Sequence, residues 1–555
     1  MSGPAGVPAP GLTVDDLVLR AQSAFDRLVR RLRLGHRPAS GRRRLLIVQI
    51  DGLSRAILEQ ALAAGHMPVL QRLVKRKGHR LAPMTVGIPT STPAFQMAAM
   101  YGVRPDIPGF HYYDKRRRTD IHFPRAGHAA FVEADQAAGR PGILSGGSVY
   151  GCVFTGGAAN DFFSFARLTR PRVAGLVRVL SAFLVLGWVA AKCVVLSGHE
   201  LVRFLGRVVR QPRRRQEAWK LAKKRLAISV WTREWFTYAV LRDMYDGVPA
   251  IYVNYLDHDE IAHACGPRSH EAVTALRGVD RSLRQIRRVL RRVPEHGYDL
   301  FVLSDHGQAP CVPYRSVAGG LPFERAFFER VLGWGRQDGP VEAMPDASTR
   351  RPPPSGRTRA VPTGRRGDPA SGRELGFEPY LDVRESHQRQ GVRVVSAGPN
   401  AFVYFVDAPE PLLLEEIDAR CPGLPAALSK SAGVGLVLAR SADGPVCFWR
   451  GEAHRLTPED HGPFADREDR GVVVRALARL MDMRSAGDLV VYGIDAPEGH
   501  VSYIDEVGAH AGASPGELHT FIVAPEHVEL PPRIEDPLQL HAVFRRYRSP
   551  SDAIA

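Results

Sequence analysis

Three apolar runs in this chain end in acidic and imidazole side chains: LLIVQI is followed by Asp51-Gly52, AIYVNYL leads to Asp259 and His263 in YLDHDEIAHACGP, and LFVLS leads to Asp305-His306 in SDHGQ. Runs so rich in Val, Ile, Leu, Tyr and Phe read as strands buried on both faces, the pattern of a parallel sheet. Each delivers its polar residues at a strand's C-terminal edge, where open α/β sheets bind ligands. An isolated Asp-Gly after a strand is ordinarily a turn. Several such fragments in one chain form a ligand set. Carboxylate oxygens and imidazole nitrogens suit Zn²⁺ or Mn²⁺, and so many ligands are shared more easily by two ions than held by one. The expected fold is α/β, a mostly parallel sheet flanked by helices, with VDRSLRQIRRVLRRV at 279–293 as the crossover helix between the second and third of these strands.

Between the first two fragments lies a hydroxyl-rich loop, GIPTSTPAFQMAAMYG. It resembles the nucleophile segment, roughly P-T-x-T-x-P-N with a Gly ten residues on, of the type I phosphodiesterase/nucleotide pyrophosphatase family in the alkaline phosphatase superfamily. Pro89-Thr90-Ser91-Thr92 reproduces the opening, and Gly102 lies ten residues past Thr92. The family's D-x-x-x-H-x-x-G-P is matched by Asp259, His263, Gly266 and Pro267, and its S-D-H-G by Ser304 to Gly307. A last histidine is expected late in the domain. GAHAG offers His510 and EDHGPF offers His461; His510 is preferred because it lies later and the strand-like TFIVAP follows it. The resemblance implies an alkaline-phosphatase-like fold and two divalent ions, zinc first and manganese second. It implies one ion site from Asp259, His263 and His510, another from Asp51, Thr92, Asp305 and His306, and Thr92 as the nucleophile of phosphoester hydrolysis through a phosphothreonine. A threonine hydroxyl ionises far above neutral pH, so it needs such ions to act.

Two positions depart from the family pattern. Phe95 stands where an Asn is common, and Tyr113, in GFHYYDKRRRTD, falls at the spacing of the Asn that holds a phosphate oxygen. A phenol can donate one hydrogen bond there. The run Lys115, Arg116, Arg117, Arg118 follows. It either attracts an anionic substrate or is a solvated loop; Tyr113 and Lys115 are taken as substrate-binding candidates. A phosphodiester is the first substrate expected, because the matched motifs belong to the diesterase branch. The alternatives are a phosphomonoesterase or phosphotransferase on the same ions, and a membrane-binding protein that keeps the fold without turnover.

The second informative stretch, 173–209, holds the apolar core VLSAFLVLGWVAA, too short to span a bilayer unless Arg178 and Lys192 are tolerated within it. A single crossing would separate Asp51 and Thr92 from Asp259 and His263. The stretch is therefore a buried helix, an interfacial helix or a hairpin that enters and returns. Ten Lys/Arg against one Glu between Arg203 and Arg225 favour an anionic membrane surface as partner. Near the N-terminus, Thr13 opens a capping-box-like segment, and Val14, Leu17, Ala21, Phe25, Leu28 and Leu32 recur at helical spacing among Arg27, Arg30, Arg31 and Arg33. That helix either lies on a membrane or docks on the core. With no secretory signal read at the start and basic flanks on the apolar stretch, the catalytic domain is expected on the cytoplasmic side.

The net charge of +17 alone would also suit nucleic acid, but no nucleic-acid-binding motif occurs, so headgroups are the expected polyanion. Six scattered cysteines without CxxC spacing read as reduced thiols. The expected organisation is a basic amphipathic helix (1–40), catalytic parts at 41–165, 231–335 and 486–555, the apolar and basic insertion at 166–230, a disordered linker at 336–375 and a small α/β cap at 376–485. The sequence is silent on oligomeric state.

Overall fold

The computed structural model describes residues 42–76, 78–163, 176–210, 215–334, 387–457 and 459–548. The helix expected within 1–40 and the linker expected over 336–375 lie outside them. The first strand, β1 (Arg44–Ile50), is buried along its length, and its side chains divide by parity. Leu45 and Ile47 enter one core while Leu46, Val48 and Ile50 enter another, as the two-residue period of a strand requires. Helices α1 (Arg55–Ala63) and α2 (Pro68–Arg76) follow, then β2 (His79–Thr85) and α3 (Thr92–Tyr101). A hairpin, β3 (His111–Asp114) and β4 (Thr119–His122), leads to α4 (Ala126–Gln136), β5 (Ser148–Tyr150) and β6 (Asn160–Phe163). The insertion holds α5 (Leu176–Arg210), α6 (Arg215–Lys224) and a π-helical stretch, Arg225–Thr232, that runs into α7 (Arg233–Asp246). Then come β7 (Ala250–Tyr255), α8 (Asp257–Cys265), α9 (His270–Leu290) and β8 (Tyr298–Leu303).

The remaining long elements are β9 (His387–Arg389), β10 (Val392–Ser396), β11 (Asn400–Phe405), β12 (Leu436–Ser441), β13 (Gly444–Trp449), β14 (Glu452–Arg455), α10 (Arg470–Met481), β15 (Leu489–Tyr492), β16 (His519–Pro525) and α11 (Pro537–Phe544). The catalytic sheet has the order β2-β16-β8-β1-β7-β5-β6. Its centre is parallel, and among the described strands only β16 runs against it; β2, antiparallel to β16, runs with the centre. Gln49 of β1 lies opposite Asn254 of β7 and Leu303 of β8, so the three acidic fragments emerge side by side at one edge. The crossover from β7 to β8 is made by α9, which contains most of the predicted 279–293 helix and begins earlier, at a Ser269 cap whose hydroxyl accepts from Ala272 N at 3.1 Å. Asp280 of α9 in turn accepts the free N–H groups of Val69 and Leu70 at 3.0 Å, fastening the start of α2 to the crossover.

The chain does not return to the catalytic sheet where the sequence suggested. DLVVYG, expected at the start of the last catalytic part, forms β15, which lies in the middle of a second, antiparallel sheet ordered β9-β10-β11-β15-β12-β13-β14. The boundary expected between 485 and 486 therefore falls beyond Tyr492. The misreading has a physical cause: an antiparallel strand covered on both faces shows the same unbroken apolar run as a parallel one, and all four residues of β15 are buried. Nor is the cap a small separate unit. Among the described residues its sheet has as many strands as the catalytic sheet, and Phe402, Tyr404, Leu438 and Val490 share one core with Leu45, Ile47, Tyr252 and Phe301.

In the insertion, Leu176–Arg210 is one continuous helix, which removes the hairpin reading for those residues. Over 187–210 it is not a buried helix either. Val189 and Cys193 pack on Val230, Trp235 and Tyr238, while Val195, Val202 and Val209 on another side are exposed. Among the described residues no helix is long and apolar enough to cross a membrane.

Candidate active site

At the C-terminal edge of β8, β1 and β7 the chain turns sharply three times. After β1, Asp51 donates its N–H to Tyr255 O at 3.1 Å, and Gly52 turns at φ +67°. A Cβ at Gly52 would both strain this turn and collide with the Asp259 carboxylate, so a glycine is required for the two loops to meet. After β8, the Ser304 hydroxyl accepts from Leu53 N at 3.0 Å and donates to His306 O at 2.8 Å, tying the first loop to the third. After β7, α8 places Asp259 and His263 one turn apart on a single face.

These turns, with the loop before β16, assemble two ligand groups. Asp259, His263 and His510 form one; Asp51, Asp305 and His306 form the other; in each, the ligand atoms lie within 4.8 Å of one another. The groups adjoin, because the His306 and His510 rings stack at 3.9 Å. Thr92 stands beside the second group, its Oγ 3.1 Å from His306 Nε2 and 3.4 Å from Asp51 Oδ1. The second group is sealed from solvent, with Asp305 and His306 at 0% exposure, whereas the His263 side chain is 22% exposed. The centre therefore opens on the side of the first group.

All three imidazoles are oriented alike. His510 Nδ1 lies 2.9 Å from Thr90 O, His306 Nδ1 3.1 Å from Gly307 O, and His263 Nδ1 2.7 Å from Glu506 Oε2 and 2.9 Å from Gly508 O. A carbonyl oxygen only accepts, so each Nδ1 carries a hydrogen and each Nε2 faces the centre, as a lone pair in His306 and His510, and in His263 once a cation replaces the proton its carboxylate neighbours favour. The carboxylates are positioned too: Asn254 Nδ2 donates to Asp51 Oδ2 at 2.6 Å, and Gln308 Nε2 donates to Asp259 Oδ1 at 2.5 Å.

The electrostatics point the same way. Burial, then the charges of Asp305 and Asp259, hold the Asp51 carboxyl well above its ordinary range. Burial pushes Asp305 up to about 8, with Asp259 adding to it and the Thr92 hydroxyl opposing. Burial also lowers His306 and His510, keeping both rings neutral. Burial alone would raise Asp259 and lower His263, but their mutual attraction reverses both shifts, with Glu506 helping to raise His263. Neither carboxylate oxygen of Asp305 makes a hydrogen bond of ordinary geometry. Buried carboxylates in this number, with neutral Nε2 lone pairs aimed among them, fit divalent cations, whose charge would invert these shifts.

Thr92 is the first residue of α3, whose Ser91 N-cap makes no side-chain capping bond, and the Ser91 hydroxyl is buried without a partner. The free N–H groups and positive end of a ten-residue helix thus lie at the hydroxyl, a place that favours an anionic phosphate. Phe95, one turn further, is core.

The structure gives the two substrate-binding candidates other tasks. Lys115 is buried and its ammonium lies 3.0 Å from both oxygens of Asp488, while also donating to Glu410 O at 2.8 Å. Its charge is committed to joining the β3–β4 hairpin to the second sheet, and removing one partner of such a buried pair costs about 3–5 kcal/mol. Tyr113 is buried under the Arg393 guanidinium, 4.6 Å from the ring centre, and packs on Tyr404. Neither contacts the ligand groups. His461 lies in a turn before the short helix Gly462–Phe464 and belongs to neither group.

Sequence reasoning missed Glu506, Gln308 and Asn254. Asn254 carried a signal, a lone amide inside an apolar strand, and Gln308 directly follows SDHG; nothing in SYIDEVGAHAG singles out Glu506. Glu506 is 9% exposed and its other oxygen accepts from Ser502 Oγ at 2.6 Å. A carboxylate behind a ligand histidine fixes the ring and strengthens it as a ligand. Glu506→Gln is expected to weaken ion binding at the first group about 10–100-fold, read by calorimetric titration with Zn²⁺. Unchanged affinity would mean that Gly508 O alone orients His263.

Comparison with known proteins adds a family and little else. The sequence model described as type I phosphodiesterase / nucleotide pyrophosphatase matches residues 45–344. No curated protein matches the chain. Among solved structures, phosphonoacetate hydrolase from Sinorhizobium meliloti 1021 aligns in two complexes, with phosphonoformate and with phosphonoacetate. Each alignment has a TM-score of 0.45 and 14% identity and covers 92% of this chain and 97% of the other.

Proposed function

The chain belongs to the type I phosphodiesterase/nucleotide pyrophosphatase family and is a phosphoester hydrolase; from that premise we propose that it cleaves a phosphodiester through a phosphothreonine at Thr92, with Zn²⁺, or alternatively Mn²⁺, held by the two ligand groups. The observation that carries this reading is the alignment of three Nε2 atoms and three buried carboxylates beside a hydroxyl at a helix N-terminus. Bound there, two divalent ions would lower the pKa of the hydroxyl and neutralise charge across the phosphorus. The Thr92 oxygen forms a bond to phosphorus as the bond to the leaving alkoxide breaks, and water then attacks the phosphothreonine and restores the hydroxyl. Free N–H groups at the start of α3 take over the holding of phosphate oxygens that Tyr113, turned away, does not perform.

Charge supports a diester over a monoester. Among the described residues no Lys or Arg hydrogen-bonds or ion-pairs with either ligand group, and Lys115 is bound to Asp488. A diester brings one negative charge to the centre, whereas a monoester near neutral pH brings almost two and calls for a further cation. The apolar and basic insertion supports placing the reaction at a membrane surface, on the cytoplasmic side by its Lys/Arg flank.

The test is turnover of bis-p-nitrophenyl phosphate against p-nitrophenyl phosphate by protein loaded with Zn²⁺ or Mn²⁺. Ion-dependent turnover favouring the diester is expected. Preference for the monoester would move the assignment to a phosphomonoesterase on the same centre. Tight ion binding with no turnover on a broad panel of esters would favour a membrane-binding protein that keeps the fold.

A further inference from the structure

The outer face of α5 is apolar and open. Val194, Val195, Leu201, Val202, Leu205 and Val209 are between 47% and 81% exposed. At 3.6 residues per turn they fall within an arc of about 120°, running for about 22 Å along the axis. A continuous apolar stripe of this kind on a folded domain marks an interaction surface. The opposite face of the helix is already used: Lys192 pairs with Glu234 at 2.7 Å, and Arg207 pairs with Glu271 at 2.9 Å.

Charge selects the occupant. Ten Lys/Arg and one Glu lie between Arg203 and Arg225, in the end of α5, in α6, between them and at the first residue of the π-helical stretch, and of these Arg207, Lys224 and Arg225 pair with Glu271, Glu260 and Glu200. A second copy would bring the same positive charge against itself. The segment before residue 42 carries Arg27, Arg30, Arg31 and Arg33 and meets the same repulsion. An anionic lipid surface is complementary in both respects, apolar beneath and negative at the headgroups. Two tryptophans flank the stripe with their rings partly exposed: Trp219, packed on Phe204 at 5.3 Å, and Trp231, bonded to Ser197 Oγ at 3.2 Å. Trp is the side chain suited to the headgroup layer.

We propose that α5 docks flat on an anionic bilayer, with its Val194–Val209 face at the acyl boundary and the exposed basic residues Arg203, Arg210, Arg215, Lys220 and Lys223 among the headgroups. The dock is joined to the catalytic centre. Lys224, at the end of α6, pairs with Glu260 at 2.8 Å; Leu221 packs against the Ile261 and Ala262 cluster; and Arg233 pairs with Asp257 at 2.5 Å. Those partners belong to α8, which carries Asp259 and His263 on the open side of the centre. Docking thus brings that opening near the headgroups, and the substrate class is a phosphodiester borne by a lipid. This last step rests on the hydrolase reading above; the docking does not.

The experiment uses the full chain, vesicles of phosphatidylcholine with or without phosphatidylglycerol, and the variant Val195→Ser/Val202→Ser/Leu205→Ser. The wild type is expected to sediment with the anionic vesicles and not the neutral ones. The variant is expected to bind at least about tenfold more weakly while its melting temperature and soluble-diester turnover stay unchanged. Equal binding by the variant, or no anionic-vesicle binding by the wild type, overturns the dock; a dimer in light scattering that the variant dissolves replaces it with a second copy. Vesicle binding with soluble-diester turnover but no phosphate ester released from the vesicle lipids overturns the lipid substrate alone. Vesicle binding with no turnover of any ester removes the hydrolase reading and leaves the dock.

Discussion

Thr92→Ala is expected to lower diester turnover by about 10⁴-fold or more while leaving the bound ion content almost unchanged. The size follows from the role: loss of the group that bonds to phosphorus removes the two-step path, and what remains is the binding and electrostatic help of the surrounding centre. The unchanged ion content follows from the geometry. Asp51, Asp305 and His306 already form a group without the hydroxyl, and the imidazoles are oriented by Thr90 O, Gly307 O and Glu506, not by Thr92. Alanine also suits a helix start that is otherwise held by the Phe95 N–H bond to Ser91 O at 3.0 Å. The pair of readings is turnover and metal content by atomic emission. Wild-type rates in the variant would show that the nucleophile lies elsewhere.

Asp305→Ala is expected to remove one of the two ions and at least about 10³-fold of turnover, since both members of a two-ion clamp are needed for in-line displacement. Its effect on stability separates a ligand from a structural residue. Burial raises the Asp305 carboxyl to about 8, so the folded chain resists its ionisation, and near neutral pH the group contributes no stability without a cation. The ion-free variant should therefore melt no lower than the ion-free wild type, while the rise in melting temperature on adding Zn²⁺ should shrink. A large fall in the ion-free melting temperature would assign Asp305 to the fold instead of the ions.

The centre was legible because its ligands are carried by strand ends, where sequence order and spatial order agree. Asp51, Asp259, Asp305 and His306 follow β1, β7 and β8 within a few residues, His263 stands one helical turn past Asp259, and register brings those ends together. His510 follows no strand of the central three and could be chosen only by its place before β16. The groups behind the ligands were illegible for a different reason: Glu506 reaches His263 across 243 residues, and no local pattern records such a contact. Tyr113 and Lys115 failed as substrate contacts because counting residues from Thr92 assumes a shared loop path, whereas the β3–β4 hairpin turns its side chains into the second sheet. The boundary near 485 failed because β15 is as apolar as a parallel strand while pairing antiparallel with β11 and β12.

The position of β16 governs the order in which this molecule can be completed. It lies between β8 and β2, and among the described residues it is the only strand β2 pairs with in the sheet. While the chain is being made, β2 emerges near residue 79 and must wait for residue 519 before it gains a neighbour; β8 waits with an open edge on the same side. His510 is delivered by the loop that leads into this closing strand. Closure of the sheet and arrival of the last imidazole are one event, so a nascent or C-terminally clipped chain holds an unfinished centre, and the hydrolase is not assembled until the barrier of its most distant strand pairing has been crossed.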